Sequence, residues 1–331
     1  MVAETPQSCG YAARDKGKPI ADWQKRLRKT LLELLAIDGR ARKAPPVRFV
    51  ETVKCDGYVR RRGYMVAADN LAVPFFLLEP DPHPSGKMGL CIAAHGHGPG
   101  KVIPCGIAET PRAKELLADG DRGYGVQAVC NGYLTIAPDF RGFGELMLPE
   151  DIRANGTNSC SQLGLRSFQM GRPLLGQRIS DVMQLLDWAL ARKDVDRKRV
   201  VMTGNSGGGT MTLFATAIDG RITACAPSCY FSTFAGSILD MAHCACNYVP
   251  GLLKVAEMSD LAGLVCPRPM LVIAGTKDTI FPIDAVRKGF SATMTIYADS
   301  GAGGNLELYE GAGGHRYYAE RVWDFFREKL G

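Results

Sequence analysis

From residue 89 onward the chain alternates short, continuous apolar runs with segments of helical periodicity. The runs fall at 89–94, 133–138, 199–203, 222–227, 270–274 and 306–309. Strands apolar along their whole length need cover on both faces, and parallel neighbours need a crossover of about a dozen residues or more, which a helix supplies. The alternation therefore predicts an α/β fold, a mostly parallel central sheet with helices on both faces. Between the runs, 177–193 sets Ile179, Val182, Met183, Leu186 and Leu190 at helical spacing. The last segment, 317–330, turns Tyr318, Val322, Phe325 and Phe326 toward the sheet.

Upstream, residues 22–37 form a helix with Trp23, Leu27, Leu31, Leu34 and Leu35 on one stripe and Gly39 as its stop. Three strands follow at 47–53, 58–66 and 71–78, punctuated by Asp56-Gly57 and Asp69-Asn70, so an N-terminal antiparallel meander is expected. No internal repeat is visible. One domain spanning 1–331 is expected, with 1–45 as a helical extension and 146–175 and 230–264 as inserted loop or cap segments.

Composition excludes several classes. With 331 residues, 46% hydrophobic and 22% charged, the chain is a globular one with a large core. Its net charge of +6 is spread over Lys25, Arg26, Arg28, Lys29, Arg40, Arg42, Lys43 and Arg60 to Arg62, solvated faces without interleaved aromatics, so no nucleic-acid partner is expected. No apolar stretch reaches the ~18 residues of a membrane span, and no membrane partner is expected. The 11 cysteines are irregularly spaced and several lie in apolar runs, which points to reduced thiols and a cytoplasmic setting. A mature exported form and a homo-oligomer both stay open.

The chemistry centres on Gly204-Asn205-Ser206-Gly207-Gly208-Gly209, which follows the 199–203 strand and precedes a helix-compatible segment at 210–218. A serine on a sharp strand-to-helix turn needs small neighbours on both sides, and G-x-S-x-G supplies them. Ser206 is the candidate nucleophile. It needs a base, and His315 sits in a glycine-rich loop between the last strand and the last helix. His243, within an insertion, reads as a packing or surface residue. The acid is Asp278, at the carboxyl end of the 270–274 strand, and Asp284 is the alternative, which also reads as a first-turn helix carboxylate.

One oxyanion donor is the Gly207 N–H; the second should come from His95-Gly96-His97-Gly98, with the His97 N–H chosen and Gly98 beside it. No metal is expected: His95-Gly96-His97 and His243-Cys244-Ala245-Cys246 lack a third ligand of known proximity. The loop through Lys101 also departs from both phosphate-binding glycine patterns. Arg141, in Asp139-Phe140-Arg141-Gly142-Phe143-Gly144-Glu145, can either clamp neighbouring loops or face substrate.

With Gly204-Asn205-Ser206-Gly207-Gly208, Gly275-Thr276-Lys277-Asp278 and Gly314-His315 in order, the chain resembles the α/β-hydrolase superfamily, and within it the acetyl xylan esterase-like and dienelactone hydrolase-like bacterial esterases. Gly132-Tyr133, Pro138-Asp139, the Arg141 to Glu145 segment, Asp181 and Cys266-Pro267-Arg268-Pro269 add to the likeness, which runs from about residue 89 to the C-terminus. It implies an α/β-hydrolase fold and a serine esterase using Ser206, Asp278 and His315 without a cofactor. Gly207 stands where acetyl xylan esterases usually carry Gln, and Ser206 where dienelactone hydrolases use Cys. What carries over is a carboxylesterase for small or short-acyl esters, acetyl esters of carbohydrates among them. A peptidase, amidase or thioesterase on the same triad, and a non-catalytic binding module, are the alternatives.

Overall fold

The expected meander is present as β1 (Val47–Cys55), β2 (Tyr58–Val66) and β3 (Ala72–Pro80), paired antiparallel in sequence order. The computed structural model describes residues 6–38, 43–118 and 120–331; Gly39, Arg40 and Arg42 lie outside them. Six further strands are β4 (Met88–Ala94), β5 (Tyr133–Pro138), β6 (Val195–Asn205), β7 (Ala224–Ser228), β8 (Met270–Gly275) and β9 (Leu306–Gly311). The sheet order is β1-β2-β3-β5-β4-β6-β7-β8-β9. β3 meets β5 antiparallel, and every pairing from β5 to β9 is parallel.

Helices cover both faces. They are α1 (Ile20–Leu34), α2 (Pro111–Ala118), α3 (Tyr124–Cys130), α4 (Pro149–Arg153), α5 (Cys160–Gln169), α6 (Leu174–Leu190), α7 (Gly207–Ile218), α8 (Met258–Gly263), α9 (Ile283–Asp299) and α10 (Val322–Leu330). Successive side chains of a strand point to opposite faces, and β4 divides accordingly. Leu90, Ile92 and Ala94 join a core with Ile179, Val182 and Leu186 of α6 and Leu213 and Phe214 of α7. Cys91 and Ala93 join a second core with Tyr124 and Val129 of α3 and Val322, Phe325 and Phe326 of α10.

Several bounds differ from expectation: β6, expected over 199–203, runs Val195–Asn205, and α6, expected over 177–193, runs Leu174–Leu190. α1 ends at Leu34 because Ala36 takes a left-handed φ of 51°. α10 begins only at Val322, since Tyr317 and Tyr318 are drawn inward, their hydroxyls bonding Thr203 Oγ1 at 3.0 Å and the Gly314 carbonyl at 2.8 Å. The 146–175 insertion contains α4 and α5 where irregular chain was expected. The buried stripe of α5 is Cys160, Gly164 and Ser167, small residues that leave no apolar periodicity to read.

One feature of the order positions the site. β4 lies between β5 and β6, so the sheet grows in opposite directions from it, and a crevice opens beyond the carboxyl ends of β4 and β6. The loop His95 to Gly98 leaves one of these strands and Ser206 leaves the other.

Candidate active site

Ser206 joins β6 to α7 with φ 58° and ψ −121°. A non-glycine residue there is strained by roughly 1–3 kcal/mol and persists only where its surroundings enforce it. The enforcement is visible in backbone contacts: the Ser206 N–H donates to the Ser228 carbonyl at 2.8 Å, and any Cβ on Gly208 would strike the Ala94 carbonyl. The spacing of small residues around the serine thus reflects close packing of β4 against the start of α7.

His315 and Asp278, from the loops after β9 and β8, meet with Nδ1 and Oδ2 2.8 Å apart. Of the two carboxylates expected as the acid, Asp278 is the one the fold brings to His315. Its carboxylate side chain is 1% exposed, whereas that of Asp284 is 94% exposed and faces Arg287 in the first turn of α9. Burial alone would raise the Asp278 carboxyl, but the His315 hydrogen bond and the Ile280 and Phe281 N–H groups, at 2.8 and 3.2 Å from Oδ1, hold it below the ordinary carboxylate value. The Phe281 ring stacks on the imidazole with centroids 5.8 Å apart, and Arg122 donates to the His315 carbonyl at 3.0 Å.

Two clefts of about 230 Å³ each share Ser206, His97 and Ile280. One extends over the 95–100 loop and also includes His315, Arg122 and Tyr124. The other is walled by Thr210, Tyr230, Met241, His243, Cys244 and Phe281. His243, expected as a packing or surface residue, therefore lines a cleft together with Ser206; its ring lies 5.6 Å from that of Phe281, and burial lowers its pKa.

The 95–98 loop is fixed from below. His95 is buried and kept neutral, its pKa driven by burial down to about 3. His97 lies against the start of α7: a Cβ on Gly207 would sit 2.8 Å from His97 Nδ1 and 3.6 Å from the His97 backbone nitrogen. The imidazole occupies the space that a side chain at position 207 would need. Both expected oxyanion donors are thus adjacent at the amino end of α7, where the helix dipole favours negative charge.

Other weighed residues have structural partners. Arg141 makes paired bonds to Asp181, both at 2.7 Å, and to Asp69, at 2.6 and 3.1 Å, which is the loop-clamping use. Lys101 is buried with Nζ 2.6 Å from Asp139 and 2.5 Å from Glu145. The expectation that the histidine and cysteine motifs lack a further ligand is corrected. The fold brings His97, Cys244 and Cys246 together with Cys160 of α5, a residue to which no sequence motif points.

Residues 1–295 match the pattern of the Abhydrolase family, which spans most of the chain and includes Ser206 and Asp278. The chain belongs to the Abhydrolase family. YtaP of Bacillus subtilis (strain 168) is 30% identical over 188 residues, 56% of this chain and 60% of that protein's length. Among solved structures, the fold is similar to that of an acetyl xylan esterase-designated protein from Bacteroides fragilis NCTC 9343, with TM-score 0.79 and 19% identity over 94% of this chain and 80% of that one. A glucuronoyl esterase from Solibacter usitatus has TM-score 0.70 and 15% identity, covering 99% and 100%. This Abhydrolase member has the α/β-hydrolase fold, and among its described residues no helix is long and apolar enough to cross a membrane.

Proposed function

We propose that this chain is a serine carboxylesterase acting on small or short-acyl esters, with carbohydrate esters as the substrate class. The observation that carries the reading is the strained Ser206 elbow opening into a cleft that also holds His315, itself bonded to Asp278 at 2.8 Å. With Nδ1–H donated to Asp278, the His315 Nε2 is left unprotonated and able to take the Ser206 proton. Ser206 Oγ then attacks the ester carbonyl, and the Gly207 and His97 N–H groups stabilise the oxyanion. His315 passes the proton to the leaving alcohol. Water, activated by the same imidazole, releases the acid and frees Ser206.

The substrate class is supported by the names of the solved relatives, acetyl xylan esterase and glucuronoyl esterase, and by the modest size of both clefts, which suits a small acyl group on one side and a sugar on the other. A panel of p-nitrophenyl acetate, butyrate and longer esters, acetylated xylo-oligosaccharides and methyl glucuronate tests it, alongside a p-nitroanilide and a thioester for the amidase and thioesterase readings. Turnover should be fastest on short esters, and a fluorophosphonate probe should label Ser206. A chain that neither takes the label nor hydrolyses any ester of the panel is a binding module instead.

A further inference from the structure

Beside the cleft, four side chains from three separate segments converge: His97 from the loop after β4, Cys160 from the start of α5, and Cys244 and Cys246 from the 230–264 insertion. Their ligand atoms all lie within 4.8 Å of one another. The Cys246 Sγ and His97 Nε2 are 3.3 Å apart. We propose that these four residues form a structural Cys3His site for a single zinc ion.

The donor set and its size point to that ion. Thiolate and imidazole together suit zinc, and bond lengths of about 2.3 Å to sulfur and 2.0–2.1 Å to nitrogen put neighbouring ligand atoms of a tetrahedron about 3.5–3.8 Å apart. The cluster already has that scale. Cysteine sulfurs around a polynuclear iron–sulfur cluster must span several metal atoms and stand further apart, so one ion fits and a cluster does not.

Charge supplies an independent observation. Three thiolates, one neutral imidazole and a divalent ion carry a net charge of −1. Arg178, buried on α6, places Nη2 3.1 Å from Cys160 Sγ. Its other hydrogen bonds go to the neutral Arg141 carbonyl, and among the described residues no carboxylate forms an ion pair with this guanidinium, so its charge is buried without a counter-charge, which is costly. The loaded site would provide its counter-charge. On loading, each thiol releases one proton to solvent, three per zinc ion, and His97 binds through the Nε2 lone pair without losing one.

The packing is prepared for this convergence. A Cβ at Gly164 would come within 2.7 Å of the Ala245 Cβ, so α5 meets the Cys244 to Cys246 segment at a distance only glycine allows. Four protein ligands leave the ion no open position, hence no bound water to activate. The site would instead tie both insertions to the loop that carries the His97 N–H, one ring away from Gly207.

The test uses the full chain, with any affinity tag removed, purified under reducing conditions without chelator. Elemental analysis should find one zinc per chain. Replacing it with Co2+ should give thiolate-to-cobalt charge transfer in the near ultraviolet and the visible bands of a tetrahedral ion. C160S and C246S should each lose the bound metal while retaining wild-type circular dichroism. The proposal is overturned by wild-type protein that contains no zinc and takes up neither Zn2+ nor Co2+ after reduction. An intact mass that reveals a disulfide among the three cysteines overturns it too, as does zinc retained at full stoichiometry in a folded C160S/C246S double variant. The wild-type measurements decide the matter even where a variant fails to fold.

Discussion

The Phe140 N–H donates to His95 Nε2 at 3.0 Å inside the core, and the other ring nitrogen, Nδ1, is 2.8 Å from the Gly96 carbonyl. Since Nε2 must accept, Nδ1 carries the proton and donates to Gly96. One neutral imidazole thereby fastens the loop after β4 to the loop after β5, immediately before the His97 N–H. His95→Phe keeps ring volume and removes both bonds. It should cost about 1–3 kcal/mol of stability by leaving the Phe140 N–H unpaired, measured by urea unfolding. If His95 positions the loop, kcat falls while KM for p-nitrophenyl acetate stays nearly constant; a proportionate change in KM alone would assign it to substrate binding.

Ser206 combines strain with chemistry, and the two separate by substitution. Ser206→Ala should lower kcat by on the order of 10³-fold or more and abolish fluorophosphonate labelling. Ser206→Gly should be equally inactive yet more stable than the alanine variant by roughly 1 kcal/mol, because glycine adopts φ 58° without a Cβ clash. Equal melting temperatures for the two variants would mean that the elbow stores no strain.

The acid is assigned by comparing two asparagines. Asp278→Asn should reduce kcat by roughly 10³- to 10⁴-fold, by presenting His315 in the wrong tautomer, with circular dichroism unchanged. Asp284→Asn, at an exposed position on α9, should leave kcat within about twofold of wild type, since surface changes away from special features are small. The reverse pattern would transfer the role to Asp284.

Glu145 links pH to stability away from the catalytic groups. Burial would raise its carboxyl, but bonds from Lys101, Tyr64 and Arg62 bring it from 4.5 down to about 2. Between those values the unfolded chain holds the proton and the native one does not, so stability rises with pH across that window. The Glu145 contribution is therefore complete above about pH 4.5 and disappears as pH falls through about 2. Glu145→Gln should flatten the acid limb of the urea-midpoint profile there. An unchanged slope would show that the carboxylate is not so paired in solution.

Much of the scaffold was readable because its signals are local. Each apolar run from 89 onward corresponds to one strand of the parallel sheet, and the meander follows its turn dipeptides. That Ser206, Asp278 and His315 would come to one edge of the sheet was readable because each lies directly after a strand, where a parallel sheet gathers its loops. What escaped depends on contacts that no periodicity records. α5 buries Cys160, Gly164 and Ser167 rather than a hydrophobic stripe, and Cys160 reaches His97 only through the folded insertion. Tyr317 and Tyr318 fit a helical pattern, yet their hydroxyl bonds pull them out of it.

The two clefts meeting at Ser206 are built from different stretches of chain, one chiefly from 95–124 and the other chiefly from 230–247. If the proposed esterase reading holds, a substrate spanning Ser206 has its two halves judged by separately encoded walls. For the proposed ester substrate, sequence drift in the 230–247 segment would re-set preference on one side of Ser206 while the wall formed by the loop after β4 stays unchanged. The architecture lends itself to diversification by exchange of a single segment, with the reacting groups left untouched.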